Sequence, residues 1–234
     1  MLKSSKTIIP IIFNAMKQVF SIIIICFFNI FLLQAQIDNL HLQQFSFEDT
    51  AGNIFNLEKL KGKTVFVDCW FPNCPPCRKE MPYTQLLQQR LHTLQFDSNI
   101  VFVTICFRQS REEWLKALQE IKLPNAIHLY APASIYETTL TNGIYPTYRI
   151  FNNEGVLENE NAIRPSEFAK ADFILYAATN NMPLKTAKKL FEDEGRNILN
   201  NVKKTSSNKL LNNFFEKFMP YKEKFLQAFL LVEH

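Results

Sequence analysis

Cys74 and Cys77 are separated by two prolines and follow directly on the run Thr64-Val-Phe-Val-Asp-Cys-Trp70. A proline at the first helical positions gives up only N–H groups that would have no intrahelical partner, so Asn73-Cys74-Pro75-Pro76 predicts the end of a strand and the start of a helix. Cys74 then stands at the helix N-terminus. There the peptide dipoles and free N–H groups favour thiolate over thiol, and such cysteines reach pKa values of roughly 3.5–7.5 instead of about 8.5. Cys77 lies one turn inside, close enough to close a disulfide with Cys74. A thiolate beside a second thiol suits thiol–disulfide exchange: the first attacks a disulfide sulfur, and the second resolves the mixed disulfide.

The elements that must hold this pair are legible around it. Thr64 to Trp70 is β-branched and aromatic with no turn former, which predicts a strand covered on both faces, and its one charged residue is Asp68. Glu80 follows Cys77 by three residues, about one helical turn away on nearly the same face. Cys69 is mid-strand and Cys106 ends the apolar run from Ile100, so both are expected to behave as small buried hydrophobes. One Cys-x-x-Cys without a second pair, with four scattered histidines, argues against a zinc site.

The phrase Cys-Pro-Pro-Cys-Arg-Lys-Glu-Met-Pro82 and its setting resemble the thioredoxin-like thiol-disulfide oxidoreductases, most closely the extracytoplasmic TlpA/ResA-type branch of the redoxin/AhpC-TSA superfamily. The resemblance covers roughly residues 40–180. It implies that Asp68 is the buried acid beneath the helix start, that Glu80 is an active-site glutamate, and that Pro146, in Gly143-Ile-Tyr-Pro-Thr147, is a cis-proline facing the disulfide. Trp70, Asn73, Pro75, Pro76 and Tyr145 would border the substrate groove. The residue before the first cysteine is commonly Trp in this family and is Asn73 here, so an apolar lip is missing at that point. Buried Cys77 needs a base to lose its proton, and Asp68 and Glu80 are the candidates, since a carboxyl group in an apolar setting has a raised pKa. Ile100 to Phe107 offers no lysine partner for Asp68.

Lys3, Lys6 and Lys17 precede the apolar run Val19 to Leu33, and Gln34-Ala35-Gln36 offers a small residue for cleavage, which is the order of an export signal. Residues 1–36 are thus read as a signal peptide or an uncleaved N-terminal membrane anchor, for which Ile8 to Phe13 adds apolar length. Cys26 lies inside the apolar run behind isoleucines, an unsuitable setting for lipid attachment. The rest of the chain is expected to work in the periplasm or cell envelope, where disulfides are permitted.

Residues 37–182 form the predicted thioredoxin-like domain, about 145 residues, an ordinary size for one core. With 47% hydrophobic residues and 22 phenylalanines the chain can build one. Net charge is +3 for residues 1–36, −3 for 37–182 and +4 for 183–234, and nothing argues for a nucleic-acid partner. Phe45 to Phe55 predicts a hairpin turning at Ala51-Gly52, and Leu57 to Leu60 a helical turn. The active-site helix should reach about His92, with Pro82 kinking it. Ile100 to Phe107 and Asn125 to Tyr130 read as strands. Ser110-Arg-Glu-Glu113 is a capping-box start, and Ser134 to Leu140 a helix. Tyr145 to Phe151 should pair with Val156 to Asn159 across Asn152-Asn-Glu-Gly155. The resulting order implies an α/β fold, a three-layer α/β/α sandwich with a mostly parallel central sheet.

Residues 183–234 predict a helical C-terminal extension. Leu184, Leu190, Phe191 and Ile198 form one apolar stripe and Leu210, Leu211, Phe214, Phe215 and Phe218 another, joined by the linker Lys203 to Asn208; after Pro220 come Phe225, Leu226, Phe229 and Leu230. Packing onto the catalytic domain, a partner interface and a membrane-surface contact all remain open for these helices.

The functional expectation is an exported thiol-disulfide oxidoreductase acting through Cys74 and Cys77 without a cofactor. The resemblance implies reduction of disulfide-containing client proteins, with electrons from a membrane thiol donor. The alternatives are a redox-inert binding module using the groove at Tyr145 and the tail helices, and a peroxiredoxin-like peroxidase, which needs a lone peroxidatic cysteine and fits the pair poorly.

Overall fold

The computed structural model describes residues 40–131, 136–158 and 162–232. The expected signal or anchor segment lies outside them, as do Ser134 and Asn159, ends of two predicted elements. Among the described residues no helix is long and apolar enough to cross a membrane.

Six strands form one sheet in the order β2-β1-β5-β4-β3-β6. They are β1 (Ser46–Asp49), β2 (Ile54–Asn56), β3 (Thr64–Trp70), β4 (Ile100–Cys106), β5 (Ala126–Tyr130) and β6 (Thr147–Phe151). The centre, β5-β4-β3, is parallel; β1 pairs antiparallel with β2 and β5, and β6 antiparallel with β3, so the sheet is mixed. β1 and β2 form the hairpin read from Phe45 to Phe55, with Gly52 at φ +89 in its turn, a conformation that suits glycine. The second arm expected after Phe151 is not a strand. Val156 and Leu157 make only isolated bridges, to His41 and Phe151.

Every residue of β3 is buried, as its uninterrupted apolar run requires. Alternation sends Phe66, Asp68 and Trp70 to one face and Val65, Val67 and Cys69 to the other. The first face is covered by α1 (Pro75–Thr93), α2 (Arg111–Glu120) and α4 (Lys170–Thr179): Phe66 clusters with Leu87, Leu91 and Phe173, and Trp70 with Met81 and Trp114. Near the second face, α3 (Tyr136–Thr141) contributes Tyr136, whose ring meets Phe45 at 5.3 Å and Phe47 at 5.5 Å between centroids.

α1 runs on through Pro82, which leaves the Arg78 carbonyl without its i+4 donor. The capping box at Ser110 is formed, with the Ser110 side chain accepting from Glu113 N–H and Glu113 reaching back. Arg90 of α1 and Asp172 of α4 meet in a buried two-pronged ion pair, Nε to Oδ1 at 2.7 Å and Nη2 to Oδ2 at 3.0 Å.

The chain beyond Pro183 folds back on this layer. α5 (Leu184–Leu190) continues through a π-helical turn, Phe191–Gly195, into α6 (Arg196–Leu199); α7 (Lys209–Phe218) and α8 (Lys222–Leu230) follow. Gly195 is needed by packing, since a Cβ there would lie 2.8 Å from the Phe191 ring. Leu211, Phe214, Phe215, Phe218 and Phe225 belong to the same buried cluster as Phe66, Phe96 and Phe173. Among the alternatives for the tail, packing onto the sheet layer is what the described residues do.

Candidate active site

β3 ends at Trp70 and α1 begins at Pro75, so Cys74 caps the helix. Its Sγ accepts the Cys77 N–H at 3.2 Å. A donor aimed at the sulfur, together with the helix dipole, favours thiolate at this position once the bond opens. Cys74 and Cys77 are joined by a disulfide, with Cα atoms 5.3 Å apart. Both sulfurs belong to a buried cluster with Trp70, Met81, Cys106 and Trp114, against which Phe71 and Tyr145 also pack.

Trp70 is fully buried. It therefore forms the floor under the cysteines and does not border a groove, contrary to the sequence expectation, because the inward alternation that buries Phe66 also carries position 70 under α1. Asn73, Pro75 and Pro76 are exposed at the surface beside the disulfide. A shallow cavity of about 240 Å³ lies there, lined by Pro72, Asn73, Arg78, Lys116 and Glu120 among others. Phe71 and Tyr145 meet edge to face at 5.0 Å, and Ile144, next to Tyr145 in the chain, is 62% exposed.

The Tyr145–Pro146 bond is cis, as the resemblance implied, and Pro146 is buried. Tyr145 is held on two sides. Its hydroxyl donates to Glu137 Oε1 at 3.0 Å, and the Arg108 guanidinium, itself paired with Glu137, lies 4.9 Å from the ring centre. Arg108 and Glu137 were not singled out from sequence; Arg108 reaches the ring from a left-handed turn just after β4, with φ 57.

Asp68 lies on the face of β3 between Phe66 and Trp70, and so under α1. It is 2% exposed, and neither carboxyl oxygen has a hydrogen-bond partner among the described residues. Burial, and secondarily the charge of Glu80, pushes its pKa up to about 8. Glu80, one turn beyond Cys77, is buried yet well provided for: the Ser166 N–H and hydroxyl donate to Oε2 and Oε1 at 3.1 and 2.8 Å, and the Arg164 guanidinium is 3.5 Å away. The two acids thus differ in kind. Asp68 is desolvated and without a hydrogen-bond partner among the described residues, whereas Glu80 is clamped from a turn 86 positions downstream. No local signal in the sequence marks Arg164 or Ser166.

Cys69 and Cys106 are free and buried, as expected. Burial pushes the Cys106 thiol up to about 12 and the Cys69 thiol higher still. Both are therefore kept from thiolate chemistry.

Residues 38–126 match the Redoxin family. The thiol-disulfide oxidoreductase ResA of Halalkalibacterium halodurans is 44% identical over 43 residues, 18% of this chain and 24% of that protein. ResA of Bacillus subtilis is 51% identical over 39 residues, 17% and 22% of the two chains. The chain thus spans about a quarter of the length of the curated relatives it matches. Among solved structures, a candidate thiol-disulfide oxidoreductase from Bacteroides vulgatus shares the fold with a TM-score of 0.50 and 20% identity, over 57% of this chain and 91% of that one.

Proposed function

We propose, for a chain that these matches support as a TlpA/ResA-type member of the redoxin superfamily, that it is a thiol-disulfide oxidoreductase reducing disulfides in client proteins of the cell envelope. The observation that carries the reading is the Cys74–Cys77 disulfide at the capping position of α1, with Cys77 N–H aimed at Cys74 Sγ. From the dithiol, the Cys74 thiolate attacks one sulfur of a client disulfide, forming a mixed disulfide and releasing a client thiolate. Cys77 then loses its proton to Asp68 and attacks Cys74 Sγ, which frees the second client thiolate and closes the Cys74–Cys77 bond. Two electrons pass to the client. A membrane thiol donor would restore the dithiol, and the N-terminal segment read as a signal or anchor would bring the domain to that compartment.

In this reading Glu80 acts on the titration of the site through its charge, and Tyr145 with Phe71 borders the client segment. A redox-inert binding module has no use for a bonded pair at a helix start with a desolvated acid beneath it, and a peroxidase of the lone-cysteine type has no use for a resolving thiol three residues on.

The test is trapping. Cys77→Ser leaves a nucleophile without a resolving thiol and should accumulate mixed disulfides with client proteins, whereas Cys74→Ser should trap almost none. Equal trapping by the two variants, read by non-reducing gel and mass mapping, would mean that the attacking cysteine is misassigned.

A further inference from the structure

We infer that the C-terminal helix α8 is part of the active-site support: Phe229 seats Phe168, and Phe168 fixes the turn whose Arg164 and Ser166 hold Glu80 beside the disulfide. The inference rests on the reading of Asp68 and Glu80 as the acids that serve Cys77, and it gives the tail a role in that chemistry.

Phe229 touches both sides of the Glu80 clamp. Its ring lies 4.8 Å from that of Tyr83, which is three residues beyond Glu80 on α1, and 5.3 Å from that of Phe168, two residues beyond Ser166. Phe168 is also met by Phe218 of α7 at 5.6 Å and by the Arg90 guanidinium at 5.4 Å. The segment between Glu80's donors and this aromatic seat is short and internally bonded: Glu167 N–H donates to the Arg164 carbonyl and Phe168 N–H to the Ser166 carbonyl, each at 3.0 Å. It ends at Ala169, buried with φ 61, a left-handed conformation alanine rarely adopts. Such a backbone persists only where its neighbours over-determine it. Here the neighbours are the side chains packed on Phe168, and without Phe229 the turn has lost one wall of its seat.

The groups that face Glu80 are Arg164 and Ser166 from this turn, Asp68 from β3 and Tyr148 from β6. Glu80 raises the proton affinity of Asp68, so a Glu80 that swings away from its clamp lets the Asp68 titration fall. That change reports on position and not on stability.

The measurement is the pH–rate profile of mixed-disulfide resolution in the full chain, for the parent, Glu80→Gln, Phe229→Ala, the double variant and Phe229→Leu, with the thermal midpoint of each. Glu80→Gln should move the Asp68 inflection to lower pH. Phe229→Ala should move it the same way and add nothing in the Glu80→Gln background, while Phe229→Leu keeps the parent profile. A Phe229→Ala variant with a lowered thermal midpoint but the parent profile would overturn the inference and leave the tail a purely structural role. If Glu80→Gln also keeps the parent profile, the assignment of the acids fails, and the inference falls with it.

Discussion

Asp68 is the residue on which most of the proposed chemistry turns, because it is a buried acid with no hydrogen-bond partner among the described residues to stabilise its charge. Its folded carboxyl binds a proton more tightly than the unfolded one, 3.8 rising to about 8, so the stability it lends is complete below about pH 4 and is lost as pH rises through about 8. Asp68→Asn cannot titrate. It should therefore flatten the fall in unfolding free energy between about pH 4 and 8 while slowing the resolving step at neutral pH by ~10²–10⁴-fold, the effect of losing a positioned general base. Urea titrations across that range, with stopped-flow reduction of a model disulfide, check both halves; a variant with an unchanged resolving rate would return the role of base to Glu80 or to water. Cys74, Cys77, Asp68 and Pro146 were legible because each is tied to a short local phrase. Trp70 was misplaced because β3 is covered on both faces, so nearness to the cysteines in sequence does not bring its side chain to the surface.

At the level of elements, the structure depends on a contact that no local pattern announces. Arg90 and Asp172 lie 82 positions apart and join α1, which carries the cysteines, to α4. The pair is almost fully buried, and Arg90 Nη1 has no partner among the described residues, so its net worth as a pair is modest while the loss of either member strands a charge. Asp172→Ala should cost about 3–5 kcal/mol, and Arg90→Met with Asp172→Leu together much less. Chemical denaturation of the single and double variants decides it, and equal losses would show that the pair itself is strongly stabilising. Elements built from near neighbours, such as the Gly52 hairpin, the Ser110 capping box and the strand from Thr64, appear where periodicity and turn chemistry predict them. Sheet order, the clamp on Glu80 and the reduction of Val156 and Leu157 to isolated bridges arise from tertiary pairing, which period and propensity do not encode.

For the molecule as a whole, the tail completes the core. Leu211, Phe214, Phe215, Phe218 and Phe225 are buried in the cluster that also holds Phe66 and Phe173. Burying such side chains contributes roughly 1.5–3 kcal/mol each. Five of them rival the whole stability of an ordinary domain, about 5–15 kcal/mol. A chain ending at Asn208 should accordingly lose its cooperative transition and bind a hydrophobic dye, as read by near-UV circular dichroism and dye fluorescence; a sharp transition in the shortened chain would show that the helices are dispensable to the fold.

The same arrangement sets a clock on synthesis. The last strand ends at Phe151, yet the layer that seals it is not complete until Phe225. At ~5–20 residues per second a ribosome needs roughly 4–15 s to cover that distance. For those seconds the chain carries a nearly finished sheet with an open apolar flank, long enough for a chaperone to engage it before it closes.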